Sequence, residues 1–105
     1  EIINRGGEKI SPLEVDGILS AHPAVAQVVT FAIPHPKLGE EVGAAVVLRE
    51  GMDATEADIR AFAGERLAAF KVPRKVVILA EIPKGATGKL QRIGLAEKLG
   101  LVEQA

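Results

Sequence analysis

A glycine-rich stretch near the end of the chain, PKGATGKLQR (residues 83–92), carries the side chains best suited to chemistry. Two lysines and an arginine stand within ten positions, and the stretch has no acidic or aromatic residue. A lysine ammonium is a compact point charge on a flexible stem, so it can reach a phosphate or a carboxylate from a distance. The stretch is therefore either a site for an anionic substrate or an ordinary solvated turn with exposed lysines.

The pattern of the stretch excludes a nucleotide-binding P-loop. That motif needs four residues between its glycines and a Ser or Thr directly after its lysine. Here two residues separate Gly85 from Gly88, and Leu90 follows Lys89. What remains is a tight glycine turn that presents one ammonium at its tip. On chemistry alone, a solvated turn is the favoured interpretation.

Two further segments could meet a ligand. In INRGGEKISP, Gly6 and Gly7 would let a thin ligand pass close to the backbone, although on the residues alone a plain hairpin turn before a capped helix is the favoured interpretation. In AAFKVPRK, Phe70 stands beside Lys71, and two more cations follow. This segment is either a ring for a nucleobase with cations for phosphate groups, or a core aromatic residue beside solvated charges.

The two histidines do not form a metal site in this sequence. His22 and His35 each precede a proline, and neither has a second histidine or a carboxylate at ligand spacing. We interpret both as turn residues and expect no metal ligand among them.

Composition limits the function classes. The chain has 105 residues, enough for one domain, and its net charge of -1 gives no indication of a nucleic-acid partner. Residues 71–92 nevertheless hold six basic residues and one acid. The absence of cysteine excludes disulfides and fits a reducing compartment, so we expect a cytoplasmic protein. No apolar run approaches the ~18 residues of a membrane span.

The spacing of apolar residues predicts an α+β domain: a small mixed sheet of about three core strands and a short N-terminal hairpin, packed with two to three helices. In chain order we expect a strand at residues 1–4, a helix from residue 12 to 22, strands at 25–34 and 42–49, a helix at 55–68, a strand at 75–79 and a helix at 93–99. The strands at 25–34 and 42–49 are adjacent in sequence, so an antiparallel pair is expected.

Capping residues mark where the first two helices begin. Ser11 is followed by Pro12, with Glu14 three residues after the serine, which predicts a capping box. Thr55 and Asp58 have the same spacing before the second helix. The chain opens without Met, directly in an apolar segment. We therefore expect a fragment of a longer polypeptide, in which part of any site lies elsewhere.

Taken together and in order, the motifs resemble one family. INRGGEKISPLEVD, HPAV, AIPHPKLGEEVGAAVV, FKVPRKV and PKGATGKLQR are similar to segments of the small C-terminal domain of the adenylate-forming enzymes. That superfamily contains acyl-CoA synthetases, peptide-synthetase adenylation domains and firefly luciferase. The similarity extends from residue 1 to about residue 99. The first and last motifs are diagnostic as a pair, so the resemblance favours a catalytic role for the lysine loop.

The resemblance implies an activity that this chain shares with a missing domain. Such enzymes activate a carboxylic acid with ATP to an acyl-adenylate and pyrophosphate, and then pass the acyl group to a thiol such as that of CoA. Residues 1–105 would be the C-terminal lid domain, and its partner would be the large N-terminal adenylating domain of the same polypeptide. That domain would bind most of the ATP and Mg and hold the acyl pocket. The isolated 105 residues are expected to fold but to be inactive.

The resemblance also implies roles for individual residues. Lys89 matches the catalytic lysine, which enters the active site in the adenylating pose and bridges the substrate carboxylate and the α-phosphate. In the thioester pose, Gly6 and Gly7 would line the pantetheine tunnel of CoA, and Arg5 would sit beside the acyl-adenylate. Acetylation of Lys89 would remove the charge on which the mechanism depends.

A third set of residues would meet the nucleotide end of CoA. Phe70 and Lys71 match positions that contact it in several CoA ligases. Some relatives have an arginine where this chain has Val72, so the phosphate contact is expected to fall to Arg74 or Lys75. The GGEKISP form of the first motif is more similar to acyl-CoA synthetases of short, dicarboxylic or aryl acids than to peptide-synthetase domains. Two alternatives stay open: an adenylation-domain fragment that serves a carrier-protein thiol, and a non-catalytic binding module of the same fold.

Overall fold

The computed structural model describes residues 2–84 and 92–101. Its elements in chain order are β1 (Ile3–Arg5), β2 (Glu8–Ile10), α1 (Pro12–Leu19), β3 (Val25–His35), β4 (Gly39–Leu48), α2 (Glu56–Gly64), a 3-10 turn (Ala69–Lys71), β5 (Lys75–Ile78) and α3 (Leu95–Lys98). The α+β class expected from the sequence is confirmed.

One five-stranded mixed sheet holds the elements together, with β4 at its centre. β3 pairs antiparallel with β4 along its length, from Val25 opposite Leu48 to His35 opposite Gly39. β5 pairs with the other edge of β4 in parallel, and β1 meets that same edge where Arg5 lies opposite Gly39. β1 and β2 form the expected N-terminal hairpin. The ends of β1 and β5 are therefore neighbours along one strand.

Apolar side chains cover both faces of the sheet because alternate residues of β4 point to opposite sides. Val42, Ala44 and Val46 belong to the larger core cluster, which includes buried residues of α1 and α2. Ala45 belongs to the second cluster, with buried residues of β3 and α3. Gly43 lies on this second face, where an added Cβ would be 2.7 Å from the side chain of Ile33. A larger residue there would force β3 and its side chains to shift.

The first two helices, α1 and α2, begin as predicted but are shorter. The Ser11 hydroxyl accepts a hydrogen bond from the Glu14 N–H, which confirms the cap of α1. The second half of that capping box is wrong, because the Glu14 carboxylate instead accepts from Lys71. The capping box of Thr55 and Asp58 forms in full before α2.

The ends of α1 and α2 and the start of α3 differ from the prediction. α1 ends at Leu19 rather than at the His22–Pro23 pair, and α2 ends at Gly64, one of the residues least favourable to a helix, rather than near residue 68. α3 begins at Leu95, later than expected, because Gly94 adopts a φ of 80°. These differences do not alter the order of the elements.

Candidate functional site

The glycine pair forms the tip of the β1–β2 hairpin, as predicted. Gly6 and Gly7 adopt φ angles of 57° and 93°, which glycine tolerates far better than other residues. The Gly7 N–H donates to the side-chain oxygen of Asn4 at 2.9 Å, and the Gly6 N–H donates to the carbonyl of Leu38 at 2.8 Å. An added Cβ at Gly7 would meet nothing within 4 Å. The backbone there faces open space that a thin ligand could occupy.

Arg5 lies directly before this tip and pairs with a buried acid. Its Nε donates to Oε1 of Glu41 at 2.8 Å, and the Val42 N–H donates to the same oxygen at 2.9 Å. Glu41 is only 7% exposed. Burying a carboxylate is costly unless it is paired and hydrogen-bonded, which explains why the arginine is held here. Within residues 2–84 and 92–101, no other group accepts a hydrogen bond from the Arg5 side chain.

The structure brings Arg5 to two cations that lie about 70 positions away in the sequence. Arg5, Arg74 and Lys75 line one open cavity of about 560 Å³, together with Glu41 and His35. This grouping follows from the sheet, because β1 and β5 both meet one edge of β4. Three cations and one carboxylate around a cavity favour an anionic ligand.

The two cations of β5 have different partners. The Lys75 ammonium lies 3.5 Å from a carboxylate oxygen of Glu56, whose other oxygen accepts from the Val76 N–H at 2.8 Å. That backbone hydrogen bond, opposed by burial and assisted by the charge of Lys75, lowers the pKa of Glu56 below its ordinary value. Among the described residues, no carboxylate pairs with Arg74. Its guanidinium is the more available of the two for a phosphate.

Phe70 and Lys71 lie in the 3-10 turn, and neither lines the cavity around Arg5. Phe70 is half-buried and packs against the larger core cluster. The Lys71 ammonium lies 5.7 Å from the centre of the Phe70 ring and 2.9 Å from a carboxylate oxygen of Glu14. The ring and the ammonium therefore form a second candidate surface, separate from the cavity.

The predicted catalytic residue, Lys89, lies outside the described residues, as do the glycines at positions 85 and 88. The chain on either side of this segment is described. Before it, Ile82 is buried, and the carbonyl of Lys84 accepts from the ammonium of Lys98 at 3.2 Å. After it, Arg92 is tied to α1 and β3 by hydrogen bonds.

The contacts of Arg92 were not foreseen from the sequence. Its NH1 donates to Oδ2 of Asp16 at 2.9 Å and to the carbonyl of Thr30 at 2.7 Å. The other oxygen of Asp16 accepts from the Thr30 N–H at 2.7 Å. Asp16 and Arg92 are 76 positions apart, so no local pattern could have revealed their pairing.

The described part of the chain contains neither a candidate metal site nor a candidate membrane span. No cluster of histidine, aspartate and glutamate in residues 2–84 and 92–101 has the arrangement of a metal site. In the same ranges, no helix has the length and apolar character needed to cross a membrane.

Comparison with known proteins supports the resemblance seen in the motifs. The sequence model of the family described as AMP-binding enzyme C-terminal domain matches residues 14–89. The chain is 58% identical over 92 residues to an oxalate--CoA ligase of Arabidopsis thaliana, covering 88% of this chain and 18% of that protein. It is 47% identical over 97 residues to an oxalate--CoA ligase of Saccharomyces cerevisiae, covering 92% of this chain and 18% of that protein. The chain thus spans less than a fifth of the length of these relatives.

Solved structures give the same result. ATP-bound MatB from Rhodopseudomonas palustris superimposes with a TM-score of 0.84 and 31% identity, over 92% of this chain and 19% of that chain. A fatty acyl CoA synthetase of Mycobacterium tuberculosis superimposes with a TM-score of 0.81 and 34% identity, over the same shares of the two chains. The described fold is therefore similar to the corresponding part of much larger enzymes.

Proposed function

The chain belongs to the family of AMP-binding enzyme C-terminal domains, and we propose that it is the mobile C-terminal domain of an ATP-dependent acyl-CoA synthetase. In the full-length protein, a carboxylate attacks the α-phosphorus of ATP, which forms an acyl-adenylate and releases pyrophosphate. The thiol of CoA then attacks the acyl carbon, which forms the thioester and releases AMP. The observation that carries the proposal is the cationic cavity of Arg5, Arg74 and Lys75 beside the Gly6–Gly7 hairpin tip.

Lys89 supplies the positive charge for the first half-reaction. Negative charge builds up on the oxygens of the α-phosphate and on pyrophosphate as the bond to the leaving group breaks. A positioned ammonium stabilises that charge more in the transition state than in the ground state, so it accelerates the step. The adenylating domain supplies most contacts to ATP and Mg.

The hairpin serves the second half-reaction. Gly7 has open space where a side chain would stand, which suits a surface that a pantetheine arm must pass. Arg5 is fixed beside it through Glu41, and its remaining N–H groups are available to the phosphate or acyl oxygen of the adenylate. The partly buried ion pair holds the arginine in place before the ligand arrives, which reduces the loss of conformational entropy on binding.

Phe70, Lys71 and Arg74 meet the nucleotide end of CoA. Phe70 is half-buried, so one part of its ring is available to a nucleobase, while Arg74 has no carboxylate partner among the described residues. The Lys71 ammonium must exchange the carboxylate of Glu14 for a phosphate when CoA binds. The nucleotide is therefore held by two separate surfaces of the domain, the 3-10 turn and the start of β5.

The acid is a short dicarboxylate, for which oxalate is the first candidate. This choice is supported by two relatives at 58% and 47% identity that are both named oxalate--CoA ligase. The choice of a short dicarboxylate also agrees with the GGEKISP form of the first motif, which is similar to that of acyl-CoA synthetases of short, dicarboxylic or aryl acids. The pocket that binds the acid is assigned to the adenylating domain. An assay of the full-length protein is therefore needed to identify the acid.

The test is a product assay with full-length protein, ATP and a panel of acids that contains oxalate, malonate, a medium-chain fatty acid and cinnamate. Each acid is assayed for pyrophosphate release with CoA and, separately, with a carrier protein bearing phosphopantetheine. We expect acyl-CoA and AMP in equal amounts, and the highest kcat/KM with oxalate. Product formed only on the carrier protein would establish the peptide-synthetase alternative. No adenylate with any acid would favour the non-catalytic binding module.

A further inference from the structure

The ion pair of Arg92 and Asp16 lies at the outer edge of β3, where both side chains form hydrogen bonds with the backbone of Thr30. Within the described residues β3 pairs only with β4, so the outer backbone groups of β3 need other partners. At Thr30 these partners are side chains: the N–H donates to Asp16 at 2.7 Å, and the carbonyl accepts from Arg92 at 2.7 Å. The two side chains also pair with each other at 2.9 Å. Three hydrogen bonds thus close one ring around a single strand residue.

This ring is more rigid than an ordinary surface ion pair. The side chains of Arg92 and Asp16 are only 21% and 19% exposed, so solvent screens them weakly. Hydrogen bonds that involve an ionised group are roughly twice as strong as neutral ones. Two of the three bonds end on the backbone of a strand, and Thr30 itself is fully buried. The position of the Arg92 guanidinium relative to the sheet is therefore fixed.

Arg92 is close to Lys89 in the sequence. Only three positions separate the two residues, and three residues of chain span at most about 11 Å. The described chain on the other side offers a weaker restraint. Lys84 is five positions away, for which the same limit is about 18 Å, and the hydrogen bond to its carbonyl comes from an exposed lysine.

From this geometry we infer that Arg92 is a positioning residue for adenylation: with Asp16 and Thr30 it fixes the place on the domain from which Lys89 reaches the active site. This inference rests on the proposed function, because it assigns the catalytic ammonium to Lys89. Neither Arg92 nor Asp16 touches a substrate in this account. Their effect is confined to the pose in which Lys89 acts, so the thioester-forming half-reaction does not depend on them.

The test compares the two half-reactions in full-length protein carrying Arg92→Gln or Asp16→Asn. Adenylation is measured as pyrophosphate release with oxalate and ATP, and thioester formation is measured from supplied acyl-adenylate and CoA. We expect the kcat of adenylation to fall by about 10²-fold, as for other displaced catalytic groups, with the KM for ATP and the rate of thioester formation unchanged. Arg92→Lys, which keeps the charge but loses the planar fork, should recover part of the loss.

The control is Arg60→Gln. Arg60 also donates to a backbone carbonyl, that of Pro73, at 3.1 Å, but it lies on α2. Its loss should leave both half-reactions within about twofold of the wild-type rate, as expected for a residue that makes no contact with the ring of Arg92, Asp16 and Thr30. If an Arg92 variant fails to fold, the nearly isosteric Asp16→Asn carries the test. The double variant should be no slower than the slower single variant, because both remove one ring.

Two results would overturn the inference. One is adenylation within threefold of wild type in Asp16→Asn and Arg92→Gln, while Lys89→Ala abolishes it. The other is an equal loss in both half-reactions, which would make the ring a general support of the fold. Failure of the proposed function has a different signature, because Lys89→Ala would then leave adenylation intact.

Discussion

The Lys71 ammonium lies 2.9 and 3.2 Å from the two carboxylate oxygens of Glu14, which joins the 3-10 turn to the first turn of α1 across 57 positions of sequence. Glu14 has the spacing to complete a capping box with Ser11, yet its carboxylate accepts from the lysine instead. The cation assigned to the nucleotide of CoA therefore already has a partner before any ligand arrives. Binding must exchange one anion for another.

This exchange predicts that Glu14→Gln strengthens CoA binding. An exposed ion pair contributes about 0.2–1 kcal/mol, so its removal should lower the KM for CoA by up to about fivefold. The KM for ATP and the rate of adenylation should not change. Glu50→Gln, which removes an exposed acid from the turn after β4, is the matched control. A KM for CoA that rises in Glu14→Gln would mean that the carboxylate orients Lys71 for the ligand rather than competing with it.

A substitution at the hairpin tip, compared with one at another glycine of positive φ, can distinguish backbone strain from a role in thioester formation. Gly7→Ala introduces a side chain at a φ of 93°, where it costs about 1–2 kcal/mol, and the new methyl group occupies space assigned to pantetheine. We expect slower thioester formation with adenylation spared. Gly51→Ala is a close control, because its φ is 78° and an added Cβ there also meets nothing within 4 Å. Both variants should lose similar stability in thermal unfolding. An equal effect of both on thioester formation would contradict the role of the tip.

Acid should destabilise the domain partly through Glu56. The hydrogen bond from the Val76 N–H and the nearby charge of Lys75 lower the pKa of Glu56 from its ordinary 4.5. A carboxyl group whose pKa is lower in the folded state stabilises the fold above its unfolded pKa, and this contribution is lost as the pH falls through the folded value.

Glu56→Gln should therefore reduce the free energy of unfolding at pH 7 and flatten its decline below about pH 4.5. The measurement is thermal unfolding of the 105-residue chain from pH 7 to pH 3, with the exposed Glu50→Gln as control. If the free energy of unfolding falls with pH in the same way in the wild type and in Glu56→Gln, ionisation of Glu56 does not contribute to the acid sensitivity of the fold.

The Thr30 hydroxyl predicts a stabilising substitution. It is buried and has no hydrogen-bond partner within the described part of the chain, while the backbone of the same residue is fully engaged. Thr30→Val removes the unsatisfied hydroxyl and nearly preserves the shape, so the free energy of unfolding should rise by about 1 kcal/mol. Chemical denaturation of the two chains measures this difference. A loss of stability would indicate that the hydroxyl has a partner in solution.

Local patterns in the sequence predicted the order of the helices and strands and the N-cap residues of α1 and α2. The caps at Ser11 and Thr55, the glycine hairpin and the antiparallel pair of long strands follow from residues a few positions apart. The sequence did not predict that α1 ends at Leu19 and α2 at Gly64. In both places the apolar spacing continues into residues that form turns. Tertiary contacts also redirected Glu14 from its predicted capping bond.

The candidate site could be predicted only where a motif is contiguous. The glycine pair and the Phe70–Lys71 segment were recognised in this way, and Arg5 came from the family resemblance. The cavity that unites Arg5 with Arg74 depends on β1 and β5 meeting one strand edge, which no local pattern encodes. The ring of Arg92, Asp16 and Thr30 was missed for the same reason. Lys89 remains a prediction from the motif.

The catalytic role of Lys89 is tested most directly by the rate of each half-reaction in full-length protein carrying Lys89→Ala. Lys84→Ala, which removes a lysine from the same motif, is the control. We expect Lys89→Ala to slow adenylation by about 10²–10³-fold and largely to spare thioester formation from supplied acyl-adenylate, with Lys84→Ala close to wild type in both. Equal losses in the two half-reactions, or adenylation that survives without Lys89, would contradict it.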